Sequence, residues 1–403
     1  MRSSIALLLS SVLVSQAADW PQWRGPSRDG VVKGEWPGDL EKLERVWRVE
    51  LQPSYSSPVV VGDRVFTTET VSKKLERVRA LDRKTGKVLW EKTWEGAMSV
   101  PFFAKRNGDW IRATPACDGE TLFVAGIRDV LVALDAATGD EKWRIDFSAK
   151  FNKPLPAFGA VASPLLDGDA LYTQAGGAAC RLDKKTGEVK WRALEDGGGM
   201  MGGAFASPSF AVLGGKRQLL VQTREKLAGL DPETGKVLWS QEIAAFRGMN
   251  ILTPIAVDDV LYTSTYGGKT QGWKAAEADG KWTVSPTWEH KSQGYMTTPV
   301  VVKGVAFTSL RSGRMMAIDV KSGKEGWTSS ESFGDYVSMA TNGRRLLGLD
   351  TKGNLTLFAA DADKFTRLGT KKIADGETWA HVAVCGDEIF IRELEGLALW
   401  RWK

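Results

Sequence analysis

The sequence predicts an all-β protein, an eight-bladed β-propeller of four-stranded antiparallel blades with an N-terminal strand completing the last blade. Three observations predict it. A ten-residue phrase, Leu-Asp-x-x-Thr-Gly-x-x-x-Trp, recurs along the chain. A Ser/Thr-Pro phrase recurs ahead of it, and the two ends of the chain carry complementary parts of one unit. Self-similarity at a fixed period of this size decides the architecture before any local reading does.

The first phrase stands at Leu81-Asp82…Thr85-Gly86…Trp90, Leu134-Asp135…Thr138-Gly139…Trp143, Leu182-Asp183…Thr186-Gly187…Trp191 and Leu230-Asp231…Thr234-Gly235…Trp239. A looser copy runs Ile318-Asp319…Ser322-Gly323…Trp327. Short apolar stretches flank a polar turn in each. Asp and Thr can bond nearby backbone amides, and Gly supplies a positive φ, so each copy reads as a β-hairpin. The Trp lies on the second strand of that hairpin. Burying it removes about 150–250 Å² from water, ~4–6 kcal/mol as an upper bound.

The second phrase begins at Ser57-Pro58, Thr114-Pro115, Ser163-Pro164, Ser207-Pro208, Thr253-Pro254 and Thr298-Pro299. It reads as strand, tight turn, strand, with Pro at the strand start where no ladder donor is needed. Two further inner strands, near Met339-Ala340 and His381-Val382, lack the Pro. Each unit is then four strands, A to D. The last unit ends on Leu397–Lys403 as its strand C, while Leu43–Leu51 reads as a strand D with its own Trp47 and no hairpin before it. Pairing the two closes the ring and removes both open edges.

Composition narrows the function. Residues 1–17 combine one positive charge, a short apolar run and Ser15-Gln16-Ala17, the pattern of a secretory signal cleaved after Ala17. A periplasmic or secreted protein without a membrane span is expected. Residues 18–42 form a Trp/Pro-rich strap, and 43–403 the propeller. The net charge is +5 with mixed signs and no dense basic run, which argues against nucleic acid. Cys117, Cys180 and Cys385 fall in different repeats and read as buried small hydrophobes. His290 and His381 are the only histidines, so a His-rich metal site is excluded.

The alternating phrases resemble the pyrroloquinoline-quinone (PQQ) propeller repeat over roughly residues 43–403. The resemblance implies that Trp47, Trp90, Trp143, Trp191, Trp239, Trp288 and Trp327 dock between neighbouring blades. Proteins with this repeat form two groups: quinoprotein dehydrogenases holding PQQ and Ca²⁺, and non-catalytic members that include the BamB-type scaffold of outer-membrane protein assembly. The opening Asp19-Trp20-Pro21-Gln22-Trp23-Arg24-Gly25-Pro26, with Trp36-Pro37 after it, is similar to the start of a group of secreted bacterial PQQ-like proteins. Quinoprotein alcohol dehydrogenases are longer and set adjacent cysteines against the PQQ ring. This chain has no Cys-Cys pair, no c-type haem motif and no local motif matching their Ca²⁺ ligands or catalytic Asp. BamB-type proteins match in size but are lipoproteins, and no Cys follows Ala17. The expectation is a monomeric, non-catalytic scaffold without a cofactor, no catalytic or metal residue being named. The alternative is a PQQ-dependent dehydrogenase with a reduced PQQ and Ca²⁺ site.

Propeller topology puts the D-to-A connections and the B–C turns on one face. The D-to-A connections are long and carry aromatic, Met, Arg and Lys side chains, as interface anchors do. Tyr55, Arg112, Phe205, Asn250, Tyr295, Tyr336 and Trp379 stand just before the A strands and are expected to face the axis. Arg128, Arg224, Tyr266, Lys269, Arg311, Arg314 and Arg392 are expected to join them from the B–C turns. This composition favours an anionic or polar ligand, a peptide carboxylate or acidic glycan, presented by a protein or glycan partner. Gly197–Gly203 has the composition of a phosphate cradle but precedes a strand, so it reads as a connection.

Overall fold

The computed structural model describes residues 18–403; the export segment expected over residues 1–17 lies outside them. Eight four-stranded antiparallel sheets follow one another around the ring. Blade 1 comprises strands A (Val59–Val61), B (Arg64–Val71), C (Leu75–Asp82) and D (Val88–Glu95). Strand B is buried along almost its whole length because blades cover both faces, whereas strand D alternates toward solvent. Blade 8 takes strands A (Ala383–Cys385), B (Glu388–Glu393) and C (Gly396–Trp402) from the C-terminus. Its strand D is the N-terminal Leu43–Glu50, paired from Leu43↔Trp402 to Glu50↔Gly396 with a one-residue register shift between Arg45 and Trp47. A buried Arg83 Nε–Glu388 Oε2 pair at 2.7 Å locks this blade to blade 1.

The recurring phrase has a double task. Within the hairpin, Asp82 Oδ1 accepts the Thr85 N–H at 2.8 Å and the Thr85 hydroxyl at 2.6 Å, and Gly86 N–H returns to the Asp82 carbonyl at 2.8 Å. The Thr85 hydroxyl thereby holds the Asp82 carboxyl below its usual range. Between blades, the turn is a shelf for the preceding indole. Trp47, Trp90, Trp143 and Trp191 donate Nε1–H to the carbonyls of Arg83, Ala136, Lys184 and Pro232, one residue past each Asp. A Cβ built on Gly86, Gly139, Gly187 or Gly235 would sit within 2.9 Å of the same indole, so glycine serves close approach as well as φ. Trp288 and Trp327 make the equivalent bond to Val320 and Asp361 carbonyls at 2.8 Å each.

Trp239 departs from this pattern. It donates at 2.7 Å to Gln218 Oε1 of its own blade. Blade 5 carries no Thr-Gly shelf: its C and D strands, Thr270–Ala278 and Lys281–His290, meet in an Asp279-Gly280 turn with both φ positive. Trp273 and Trp282 of this longer hairpin fill the seam beside Trp239.

The strap crosses the axis on the face opposite the D-to-A loops and bonds to inner strands around the ring. Trp20 bridges Val60, the Pro21 carbonyl accepts Cys117 N–H, and Gln22 Oε1 accepts Leu166 N–H. Farther on, Val31 bridges Thr341, and Trp36 stacks on Trp402 at 6.2 Å. Trp20 and Trp36 are buried core residues. The three cysteines are free and buried. Among the described residues no helix is long and apolar enough to cross a membrane.

Candidate functional site

The Ser/Thr of each Ser/Thr-Pro phrase faces the axis, and these residues form a belt. Each backbone N–H donates to the hydroxyl of the next blade: Ser57 to Thr114 (3.3 Å), Thr114 to Ser163 (3.0 Å), Ser163 to Ser207 (2.9 Å), Ser207 to Thr253 (3.0 Å) and Thr253 to Thr298 (3.1 Å). Proline continues the chain into strand A, and the residue before it is held extended. In blade 8 the corresponding place, two residues ahead of Ala383, is taken by His381. The sequence displayed this motif plainly, but its hydroxyl half was read only as a strand start. Its partners lie in neighbouring blades.

Above the belt opens a cavity of about 410 Å³. Tyr55, Arg112, Phe205, Tyr295, Tyr336 and Trp379 line it. Tyr336 stacks on Trp379 at 6.2 Å with 11° between planes, and Tyr55 meets Trp379 at 5.8 Å. On the opposite wall Phe158 packs on Phe205 at 5.8 Å, and the Arg224 guanidinium lies 4.8 Å over Phe205. Asn250 does not line the cavity. It is fully buried, its amide donating to the Arg224 carbonyl at 2.9 Å and the Ile243 carbonyl at 3.0 Å, so it pins the connection instead. Arg392 also departs from expectation. Its guanidinium is buried and bonds backbone carbonyls of Gln52, Thr68 and Leu394, clamping blade 8 to blade 1.

The floor comes from the strap, which sequence reasoning placed on the propeller but not in its axis. Trp23 lines the cavity and meets His381 edge-on at 6.2 Å. Arg24 and Arg28 flank the Trp23 ring at 5.5 and 5.2 Å. Arg24 Nη2 donates to the Pro299 carbonyl (2.5 Å) and Arg28 Nη1 to the Pro164 carbonyl (2.8 Å), so both reach into the ring of strand starts. Burial pushes Arg24 down to about 10 and Arg28 to about 9, and both stay charged at neutral pH. Burial, with Arg24 adding to it, lowers His381 to about 3, so its ring is neutral. Arg112 and Arg224 are lowered by burial, and Tyr55 and Tyr295 raised by it. The lining holds Arg112, Arg224 and Arg247 and no carboxylate. The rim exposes Phe102, Phe103, Met200, Met201 and Phe246, and Phe102 is 85% accessible.

A family model described as "Outer membrane protein assembly factor BamB" (PQQ_2) matches residues 39–104 and 74–329. The chain belongs to this family. The BamB of Yersinia pestis is 20% identical over 358 residues, covering 85% of this chain and 83% of its own. The polyvinylalcohol dehydrogenase of Sphingopyxis is 29% identical over 38% of this chain. A serine/threonine-protein kinase AfsK of Streptomyces griseus is 29% identical over 41% of this chain. The matched segment spans about a quarter of that dehydrogenase (24%) and a fifth of that kinase (19%). Among solved structures, BamB from Moraxella catarrhalis superposes with a TM-score of 0.63 at 16% identity, over 90% of this chain and 98% of that one. A europium-containing methanol dehydrogenase superposes at 0.54 and 12% identity, covering 95% and 98%. These likenesses show the shared fold.

Because the repeat resembles that of quinoprotein dehydrogenases, which hold PQQ with Ca²⁺, the lining can be compared with what that pair needs. A calcium ion takes oxygen ligands, carboxylates above all. No carboxylate lines the cavity, and no group of three or more His, Cys, Asp or Glu among the described residues is placed to hold a metal ion. The cysteines are free and lie in three separate blades, so no adjacent pair offers a disulfide to a ring in the axis. The residues present do not fit the pair.

Proposed function

We propose that this propeller is a non-catalytic scaffold, working in the periplasm or outside the cell, that binds a protein partner through its D-to-A loop face. The observation that carries the reading is the pairing of a blind aromatic–arginine cavity with an exposed apolar rim on one face. Exposed Phe and Met clustered around arginines are the chemistry of interface anchors. The opposite face presents short polar hairpins and the strap. Family membership and the full-length BamB likenesses support a scaffold over an enzyme.

Phe102→Ser with Phe246→Ser, and separately Arg112→Ala with Tyr295→Ala, should weaken capture of a partner from the periplasmic fraction while the melting temperature stays close to wild type. Equal capture by both variants would overturn the reading. A dehydrogenase remains the second reading because dehydrogenases share the fold. Its signature is a PQQ- and Ca²⁺-dependent rise in melting temperature with alcohol-dependent dye reduction, and neither is expected.

A further inference from the structure

The cavity lining is weighted toward hydrogen-bond donors, with three arginines and a belt of hydroxyls. Each belt hydroxyl from Thr114 to Thr298 already accepts a neighbour's N–H, and all but that of Thr253, which also donates to the Ser207 carbonyl at 3.3 Å, keep an O–H to offer. Ser57 Oγ, at the end of the belt, has no partner, and neither has the buried Nε of Arg224. Arg112 donates Nη2 to the Gly108 carbonyl at 2.6 Å and Nε to the Trp110 carbonyl at 3.3 Å, which fixes its plane against the wall. No carboxylate stands in the lining itself to meet Ser57 or Arg224; Asp335 and Glu377 lie in the adjoining cleft that shares Tyr295 and Trp379 with it. Buried donors without acceptors are costly, so the lining is built for an occupant rich in acceptors and negative charge.

The shape adds a second restriction. The strap closes the axis beneath Trp23, so the cavity is entered from the D-to-A face alone. Its volume of about 410 Å³ has no room for a folded element. An internal stretch of chain would have to enter and leave through one mouth, whereas a chain end only enters. A free small anion would leave exposed Phe102, Met201 and Phe246 uncovered, and a peptide end continues out over them.

We propose that the cavity receives the carboxyl-terminal end of a partner polypeptide. Its terminal carboxylate meets the hydroxyl belt and Arg112, and its last apolar side chain lies between Tyr55, Tyr336 and Trp379. This rests on the reading of the D-to-A face as the partner surface and names what that partner presents.

The test is fluorescence anisotropy of the full chain with N-terminally labelled Ser-Gly-Ser-Gly-Ala-Leu-Phe. One peptide has a free C-terminus and a second is amidated. A third is amidated and carries internal Asp residues, which separates a terminal from a side-chain carboxylate. Amidation should weaken binding about tenfold or more. Arg112→Gln should weaken the free peptide by a similar factor and leave the amidated one unchanged. Arg112→Lys, which keeps the charge and loses the fork, supplies a second variant if Arg112→Gln does not fold, and should weaken the free peptide more than the amidated one. Equal binding of free and amidated peptides, tighter binding of the internal-Asp peptide, or no binding of any would overturn the proposal. Partner capture lost in the Phe102/Phe246 variant would still stand in those cases, so the two readings fail separately.

Discussion

The Trp143 indole donates to the Lys184 carbonyl at 3.0 Å and lies on Gly187, where a Cβ would stand 2.8 Å from its ring. The two residues belong to successive copies of one phrase, so each copy supplies the next seam's wedge and the previous seam's shelf. Trp143→Ala should cost ~3–5 kcal/mol through the void it leaves. Gly187→Ala should cost ~1–3 kcal/mol, because its φ is +72 and the new methyl meets the ring. Urea denaturation of both variants measures this, and a near-neutral Gly187→Ala would show that the shelf is not close-packed.

Ring closure depends on blade 8 being fastened to blade 1. Arg83 and Glu388 are both nearly buried and pair at 2.7 Å. Removing Arg83 leaves the buried Glu388 carboxylate with Arg401 alone, so Arg83→Met should destabilise by ~1.5–3 kcal/mol. The loss should be smaller in Arg83→Met/Glu388→Leu than the sum of the single losses, which a double-mutant cycle reads directly.

The belt makes a different prediction. Ser163→Ala removes the acceptor of the Thr114 N–H without touching the apolar seams. An unsatisfied buried amide costs ~1–3 kcal/mol. Hydrogen exchange at Thr114 should quicken while amides of blade 5 keep their protection.

Glu76 gives the fold a pH dependence. Its carboxyl is buried between blades 1 and 2, accepting Ile127 N–H at 2.7 Å and Trp94 Nε1–H at 3.1 Å. Burial pushes it up to about 7 from 4.5. The folded protein therefore holds a proton between those values that the unfolded chain has lost, and stability falls as pH rises through the window. The full penalty above pH 7 is ~3 kcal/mol. Melting temperature against pH should flatten between 4.5 and 7 in Glu76→Gln relative to wild type. Parallel curves for the two proteins would contradict the assignment.

The fold was legible because its determinants are local and repeated. Asp-x-x-Thr-Gly writes its own hairpin, and Trp47 without a preceding hairpin announces the closing strand. Where the local signal changes, the detail differs: Trp239 still packs against blade 5, but that blade carries Asp279-Gly280 in place of the shelf, and the indole bonds Gln218 of its own blade instead. The site was legible at the level of loops, and six of the seven residues named from position line the cavity. Asn250 was misplaced because a short polar side chain before a strand can as well pin the loop as face the axis. Trp23, Arg24 and Arg28 were invisible as a floor, since nothing in an irregular segment says which way it crosses a ring.

The most direct measurement is photo-crosslinking in the native compartment from two single positions, Met201 on the rim and Lys185 in a C–D turn of the opposite face. Both are exposed, so the substitution perturbs neither seam nor belt. A discrete protein adduct from position 201 and none from 185 is the predicted result. Adducts from 185 alone, or equally from both, would contradict the assignment of function to the D-to-A face.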